Sequence, residues 1–326
     1  MATLHIFNPE TDFALAAGIP IYTPPAKVLA LKHSLSLLPA IYARRGDYIL
    51  VPKGMTSDDI SSLKYYDIVK AKDITVTPLF SASAIDSIDP WGWNLSIRNQ
   101  LLSLGAPDAL LKSEKEIALL RSTAHRRTTI KANILLNNLL GIHTPLPEEL
   151  ISIEDATNFS RNVKGCYFKS PWSSSGRGIL VGGSLEERLE REWLQGCLKR
   201  QGSVIGEYPC KGKTLDFALE WRIENGTANF LGINIFRTTR GGSFIENILL
   251  SQNELREIFS KHSSIDLSAI EAAQRQVLTE VIAPHYSGLA GVDGCCSALT
   301  GEVRPFLEIN LRHTMGHIPL LTSLCE

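Results

Sequence analysis

The chain has 326 residues, 44% of them hydrophobic, with 33 Lys and Arg against 34 Asp and Glu. That length suits two or three lobes rather than one compact unit, and a net charge of −1 excludes the basic surplus that drives sequence-independent nucleic-acid binding. The six cysteines lack C-x-x-C spacing, residues 1–9 lack the flank and core of a signal peptide, and no apolar run nears the roughly 18 residues that span a bilayer; mostly buried thiols in a cytoplasmic protein with no membrane partner are expected.

The amino-terminal third reads as α/β. Residues 4–7 form a short buried strand that breaks at Asn8-Pro9-Glu10, residues 48–51 form another, and a helical stretch over about 26–45 separates them. Strand, helix, strand is a parallel crossover unit, whose ligands sit beyond the C-terminal strand ends, where Asn8, Glu10 and Asp12 fall. These residues are either ligand contacts or plain turn formers. Asp89-Pro90-Trp91-Gly92-Trp93-Asn94 is a turn-rich aromatic patch, read as a packing plug, with a substrate wall as the alternative. Ser113 and Glu116 have capping-box spacing, so a helix begins there. A second helix over about 128–140 carries Ile130, Ile134 and Leu139 on one stripe and ends at Gly141 before Thr144-Pro145.

From Gly165 the texture changes to strand (167–169), Gly/Ser loop (171–178), strand (179–181), helix (184–200) and strand (203–207), together a small inserted lobe. Residues 215–223 and 228–236 alternate as strands around Glu224-Asn225-Gly226, an Asn-Gly hairpin signal. Residues 253–285 read as mostly helical, and two further strands near 291–298 and 303–310 flank Thr300-Gly301.

The densest chemical signal is Phe306-Leu307-Glu308-Ile309-Asn310-Leu311-Arg312. Strand alternation puts Glu308 and Asn310 on one face and Leu307 and Ile309 on the other. A carboxylate and an amide oxygen so placed can grip a hard cation such as magnesium, which leaves its other positions to water and phosphate; Arg312 can meet a phosphate or carboxylate bidentately. Lys169 precedes Ser173-Ser174-Ser175-Gly176-Arg177-Gly178, where small residues let backbone N–H groups close over phosphates; an ordinary hairpin loop is the alternative. The run from Gly206 to Gly212-Lys213-Thr214 has one residue too many for a phosphate-binding loop and leads into a strand, so it is rejected. His313 and His317 are four apart, a spacing compatible with zinc on a helix but also with structural histidines or substrate contacts.

The order of these fragments, ending in Asp293 and Glu308-x-Asn310-x-Arg312, resembles the ATP-grasp superfamily of carboxylate–amine ligases. The resemblance implies an α/β (α+β) chain: an N-terminal Rossmann-like α/β domain over 1–112, then an ATP-grasp domain over 113–326 with a lid subdomain at about 164–206 and a C-terminal antiparallel-sheet catalytic part. It implies that Lys169 touches the α/β-phosphates, that Ser173, Ser174, Ser175, Gly176 and Gly178 form the lid over the triphosphate, and that Glu207 and Tyr208 lie at the hinge receiving adenine. Asp216, rather than Thr214, is favoured for the ribose, and Arg127, among Arg126, Arg127 and Lys131, for the family's earlier basic residue. Asp293, Glu308 and Asn310 match the ligands of magnesium, with manganese as alternative; Arg312 and Lys169 match catalytic cations. The implied reaction is an ATP-dependent, ADP-forming union of a small-molecule carboxylate with an amine, or less often a thiol, through an acyl phosphate. Arg237 and Arg240 are candidates for gripping the substrate carboxylate; Asn8, Glu10, Asp12, Trp91, Trp93, His313 and His317 are candidates for the substrate walls. A small-molecule kinase, an ATP sensor without turnover and a zinc hydrolase built on His313, His317 and Glu308 are the competing readings. A homodimer is the commonest assembly for a soluble enzyme.

Overall fold

The computed structural model describes residues 2–80, 84–173, 176, 178–183, 186–239 and 242–322. The chain divides into two units, residues 1–121 with 317–326, and residues 122–316.

The first unit is built on β1 (Thr3–Ile6), β2 (Tyr48–Leu50), β3 (Thr75–Thr77) and β4 (Ser87–Pro90), a parallel sheet of order β3-β2-β1-β4. Helices α1 (Thr11–Ala17), α2 (Ala26–Ser34), α3 (Ser57–Ser61), α4 (Tyr66–Ala71), α5 (Leu95–Ser103) and α6 (Glu114–Thr123) connect and flank it. Leu4, Ile6, Leu50, Ile88, Ile97 and Leu101 form its core. The expected long helix over 26–45 stops at Ser34, and a separate 3₁₀ turn, Leu38–Ile41, holds Pro39, which cannot continue a helical ladder. Ser113 and Glu116 do make a reciprocal box, Ser113 N donating to Glu116 Oε2 at 2.7 Å and Glu116 N to Ser113 Oγ at 3.2 Å.

The aromatic patch is a plug, and it begins as strand β4: Trp91 is buried edge-on against Phe7 at 5.1 Å, and the Asn94 side chain caps α5 by accepting from Ile97 N at 2.9 Å. Asn8 is fully buried and donates to the Gly92 carbonyl at 2.8 Å, and Glu10 pairs with Lys32 at 2.5 Å. Both polar residues close loops. The unit runs past residue 112 because Arg121 donates to the carbonyls of Leu15 (2.6 Å) and Ala16 (3.0 Å). It also takes in the C-terminal helix, His317–Thr322, whose Ile318 packs on Phe7, Leu38 and Trp91.

The second unit begins with α7 (Thr128–Leu140), ended by Gly141 at φ +63. A lobe follows: β5 (Glu148–Leu150), α8 (Ile153–Asn162), β6 (Tyr167–Lys169), β7 (Ile179–Val181), α9 (Glu187–Gln201) and β8 (Val204–Glu207), in an antiparallel sheet of order β5-β8-β6-β7. Phe159, Phe168, Leu194 and Val204 lie in its core. The lobe starts near 148 rather than 164, since β5 and α8 belong to its sheet and core.

The larger sheet has β9 (Leu215–Glu224), β10 (Thr227–Thr238), β11 (Phe244–Asn247), β12 (Gly288–Cys296) and β13 (Val303–Asn310), in the antiparallel order β11-β10-β9-β12-β13. Asn225 (φ +52) and Gly226 (φ +73) make the β9–β10 turn, as the Asn-Gly signal requires. Helices α10 (Gln252–His262) and α11 (Leu267–Val277) cover one face, where Phe217 meets Phe259 at 4.9 Å and Trp221 donates to Gln274 Oε1 at 3.1 Å. Cross-strand partners share a face, so the register puts Asp216, Glu220, Asn234, Asp293, Cys295, Glu308 and Asn310 together on the other face.

Helix α7 does not bury the predicted stripe: Ile134 and Leu139 are exposed, while Thr129, Ala132, Asn133 and Leu136 face inward. The reason lies in β13, whose register with β12 shifts between the pairs Asp293–Glu308 and Cys295–Arg304. Such irregularities strand backbone groups. Asn133 Nδ2 satisfies the Phe306 carbonyl at 2.8 Å and Gln274 Nε2 the Pro305 carbonyl at 2.5 Å. Among the described residues no helix is long and apolar enough to cross a membrane.

Candidate active site

The polar face of the larger sheet forms one wall of a cleft of about 590 Å³ whose other wall is the lobe. Lys169, Glu207 and Tyr208 enter it from the lobe; Asp216, Asp293 and Glu308 enter it from the sheet. Leu307 lines the cleft beside Glu308 instead of facing away, a consequence of the β13 register shift. Lys169 Nζ lies 2.6 Å from Glu207 Oε2, both side chains nearly buried, and Glu207 Oε1 is buried without a hydrogen-bond partner. A buried orphan oxygen costs about 1–3 kcal/mol and marks a place where a donor group fits. Asp216 accepts from Lys213 at 2.8 Å and from Thr238 Oγ1 at 2.7 Å. Thr214 Oγ1 instead holds His262 (2.9 Å) and Ala298 N (2.9 Å), so it serves the scaffold.

Asp293 and Glu308 are direct cross-strand partners. Asn310 Nδ2 donates to Asp293 at 3.2 Å, and Arg312 Nη2 donates to Asn310 Oδ1 at 2.8 Å. Burial first, then the Glu308 charge, pushes the Asp293 carboxyl up to about 7, against the smaller opposing effects of Arg312 and Asn310. Two carboxylates and an amide oxygen make a hard-oxygen set that fits magnesium or manganese, with the Asn310 amide rotated to present Oδ1. Among the described residues no group of three or more His, Cys, Asp or Glu is placed to hold a metal. His313 is buried in the 122–316 unit, and His317 opens the C-terminal helix of the other.

The two neighbouring arginines have different surroundings. Arg127 precedes the first turn of α7, half-exposed, with Nη1 3.8 Å from Glu149. Arg126 is turned inward and buried; it donates to Ser173 Oγ at 2.8 Å and also to the Ser170 carbonyl and Glu308 Oε1. One cation thus ties the start of the Gly/Ser loop to the acid pair. The Ser173 hydroxyl is occupied there and does not line the cleft. Gly178 (φ +109) closes the loop base, where an added Cβ would come within 2.7 Å of Ser173, and Ser170 N donates to its carbonyl at 2.7 Å. Gly176 (φ +71) lies against Ser243, whose Cα would be 2.6 Å from an added Cβ. Ser174, Ser175 and Arg240 lie outside the described residues. Arg237 lines the cleft but pairs with Glu246 at 3.0 Å, both largely exposed.

Glu220 escaped the sequence reading. It is 1% exposed in the middle of β9, accepts from Thr314 Oγ1 at 2.9 Å, and is packed so closely that a Cβ on Gly291 would stand 2.7 Å from its Oε2. Burial, then the charge of Asp293, raises its carboxyl to about 8. The available signal was period-two alternation, which sets Asp216 and Glu220 on one face of a strand whose other face is Phe217, Leu219, Trp221 and Ile223.

No protein-family profile matches the sequence, and no characterised protein matches it. Solved structures match along the whole chain. The biotin carboxylase domain of Hydrogenobacter thermophilus 2-oxoglutarate carboxylase, in complex with MgADP, ADP and bicarbonate, is 12% identical with a TM-score of 0.55, covering 99% of this chain and 69% of that one. Campylobacter jejuni biotin carboxylase, bound to a β,γ-ATP compound, is 11% identical with a TM-score of 0.55, covering 99% and 70%. Staphylococcus aureus N5-carboxyaminoimidazole synthetase complexed with ADP is 13% identical with a TM-score of 0.52, covering 97% and 71%. The parallel N-terminal sheet, the antiparallel lobe and the larger antiparallel sheet, matched over the full chain at this low identity, show that this chain has the ATP-grasp fold.

Proposed function

We propose that this protein is an ATP-dependent, ADP-forming ligase that joins a small-molecule carboxylate to an amine, or less often a thiol, through an acyl phosphate. The observation that carries the reading is one cleft lined by Lys169 from the lobe and by the Asp293–Glu308 pair from the sheet. The nucleotide complexes among the similar structures support placing ATP there. Asp293, Glu308 and Asn310 would hold magnesium or manganese, which when bound neutralises charge on the phosphates.

Lys169 exchanges its Glu207 partner for phosphate oxygens, and Tyr208 and Asp216 flank the nucleoside. The substrate carboxylate attacks the γ-phosphorus and ADP leaves; the amine then attacks the acyl carbon and expels phosphate. Such transfer asks a protein chiefly for positioning and charge stabilisation. Arg312 stabilises charge on the transferred group and on the tetrahedral intermediate. Closure of the loop at Gly176 and Gly178 keeps water from the acyl phosphate.

The test is ADP release with Mg-ATP and pooled small acids and amines, wild type against Glu308→Ala. Release that needs both an acid and an amine, and vanishes in the variant, is the expected result. Release with one substrate and a stable phosphorylated product would replace the ligase by a kinase, and nucleotide binding with no release from any pool would replace it by a sensor.

A further inference from the structure

Strand β13 ends at Asn310, and the turn that carries Arg312 lies beyond it, tied to three neighbouring strands of the same sheet. From β9, Glu220 Oε1 accepts from Thr314 Oγ1 at 2.9 Å, and the same hydroxyl accepts from Gly316 N at 3.2 Å. From the end of β11, Asn247 Nδ2 donates to the Met315 carbonyl at 2.8 Å, while Asn247 Oδ1 accepts from Asn234 Nδ2 of β10 at 3.1 Å. Glu220 is 1% exposed and Asn234 5%. The backbone of the turn lies directly on both side chains: a Cβ added to Gly316 would stand 2.1 Å from Glu220 Oε1 and 2.7 Å from Asn234 Nδ2.

The aim of Arg312 depends on this turn. Its Nη2 donates to Asn310 Oδ1 at 2.8 Å and its Nη1 to the His313 carbonyl at 3.0 Å. The first acceptor is the oxygen that the proposed function gives to the metal. The second belongs to the turn itself, one residue before Thr314. We infer that Glu220, acting through the Thr314 hydroxyl, is a positioning residue for Arg312: it fixes the turn, so that the His313 carbonyl keeps the guanidinium aimed at the acid pair when Asn310 Oδ1 turns to the metal. Asn247 fixes the far side of the turn through the Met315 carbonyl. An apolar contact would fill the same space, but only hydrogen bonds also set direction, and a group misplaced by about 1 Å can cost about 10²-fold in rate. A carboxyl buried in the middle of a strand is costly unless it is hydrogen-bonded, and here the Thr314 bond compensates it. The positioning role rests on the function proposed above, in which Arg312 meets the transferred group; the seating of the turn does not.

The experiment compares the full chain with Thr314→Val and Glu220→Leu, which remove donor and acceptor at similar volume, and with Thr314→Ser and Glu220→Gln, which keep them. Two rates are read: kcat for ADP release in the responding pool, and tryptic cleavage of the Arg312–His313 bond relative to all other sites in the same chain, followed by mass spectrometry. Thr314→Val and Glu220→Leu should each lower kcat about tenfold or more with MgADP affinity within about twofold of wild type, and should speed cleavage at Arg312 about tenfold or more through local opening of the turn. Thr314→Ser and Glu220→Gln should stay within about threefold of wild type in both rates. On an Arg312→Ala background, Thr314→Val should lower kcat by no more than about a further twofold, because the group it positions is gone. Turnover that survives Thr314→Val and Glu220→Leu, a full further loss on the Arg312→Ala background, or cleavage at Arg312 that changes no more than at other sites would overturn the assignment. Absence of ADP release from every pool in wild type would instead sink the ligase reading and the role in it, and the cleavage rates alone would decide whether Glu220 and Thr314 hold the turn.

Discussion

Arg126 holds the start of the Gly/Ser loop and Oε1 of Glu308 at once, from a side chain only 5% exposed. Removing one member of such a buried pair leaves the other uncompensated, so Arg126→Met should cost about 3 kcal/mol of stability. Arg127→Ala, at a half-exposed side chain 3.8 Å from Glu149, should cost under about 0.5 kcal/mol. Urea unfolding of the two variants checks this, and equal losses would contradict the assignment. Neighbours in sequence with the same charge cannot be told apart by spacing; what separates them is the last turn before α7, which sends one side chain inward and the other toward β5. At the reacting end, Arg312→Ala should lose about 3–4 kcal/mol of transition-state stabilisation, the value of one preorganised donor, read as a fall in kcat. Near-normal turnover would remove Arg312 from the mechanism.

At the scale of elements, the proposed chemistry falls on the β12–β13 pair, which depends on helices behind it. Asn133 and Gln274 satisfy carbonyls freed by the register shift, so Asn133→Ala should cost about 1–3 kcal/mol through an unsatisfied buried carbonyl, measurable by denaturant unfolding. A cost near zero would mean that the shift needs no support from α7. Apolar periodicity cannot see a role of this kind, and that is why α7 shows an unexpected face: a polar residue decided which side is buried. The hairpin at Asn225-Gly226 was legible because its turn type selects those residues directly. In the Gly/Ser loop, Gly176→Ala must hold an L-residue at φ +71 against the Ser243 backbone, about 1–3 kcal/mol of strain. Turnover should fall more than the urea midpoint does; an equal effect on both would make Gly176 a folding residue only.

The whole molecule should lose stability as pH rises, because buried groups in both units hold protons more tightly when folded. His5 lies 3.2 Å from Asp47 and 3.1 Å from Asp89; burial alone would lower its imidazole, but the two hydrogen bonds and charges prevail and raise it to about 9 from 6.5. Its contribution is complete below the unfolded value and disappears as pH rises through about 9. Glu220 acts in the same direction: its proton is held fully below 4.5 and lost through about 8. The melting temperature should therefore decline from about pH 5 to about pH 9, with Glu220→Gln flattening the lower part of that window and His5→Gln the upper; a profile unchanged in both variants would contradict these environments. The spaced motifs made the ATP-grasp architecture legible in sequence, because the Lys169 loop, Asp293 and Glu308-x-Asn310-x-Arg312 are local patterns. The same-face assembly of Glu220, Asn234 and Cys295 with them depends on strand register between distant segments, which one chain does not display. We propose that this cleft binds a metal–nucleotide complex through Lys169 and the acid pair. Calorimetric titration of Mg-ATP into wild type, Lys169→Met and Asp293→Asn tests it most directly: one site per chain in wild type and at least about tenfold weaker binding in each variant, a loss of about 1.4 kcal/mol or more, is the predicted result. Wild-type protein that does not bind, or variants that bind equally well, would contradict it.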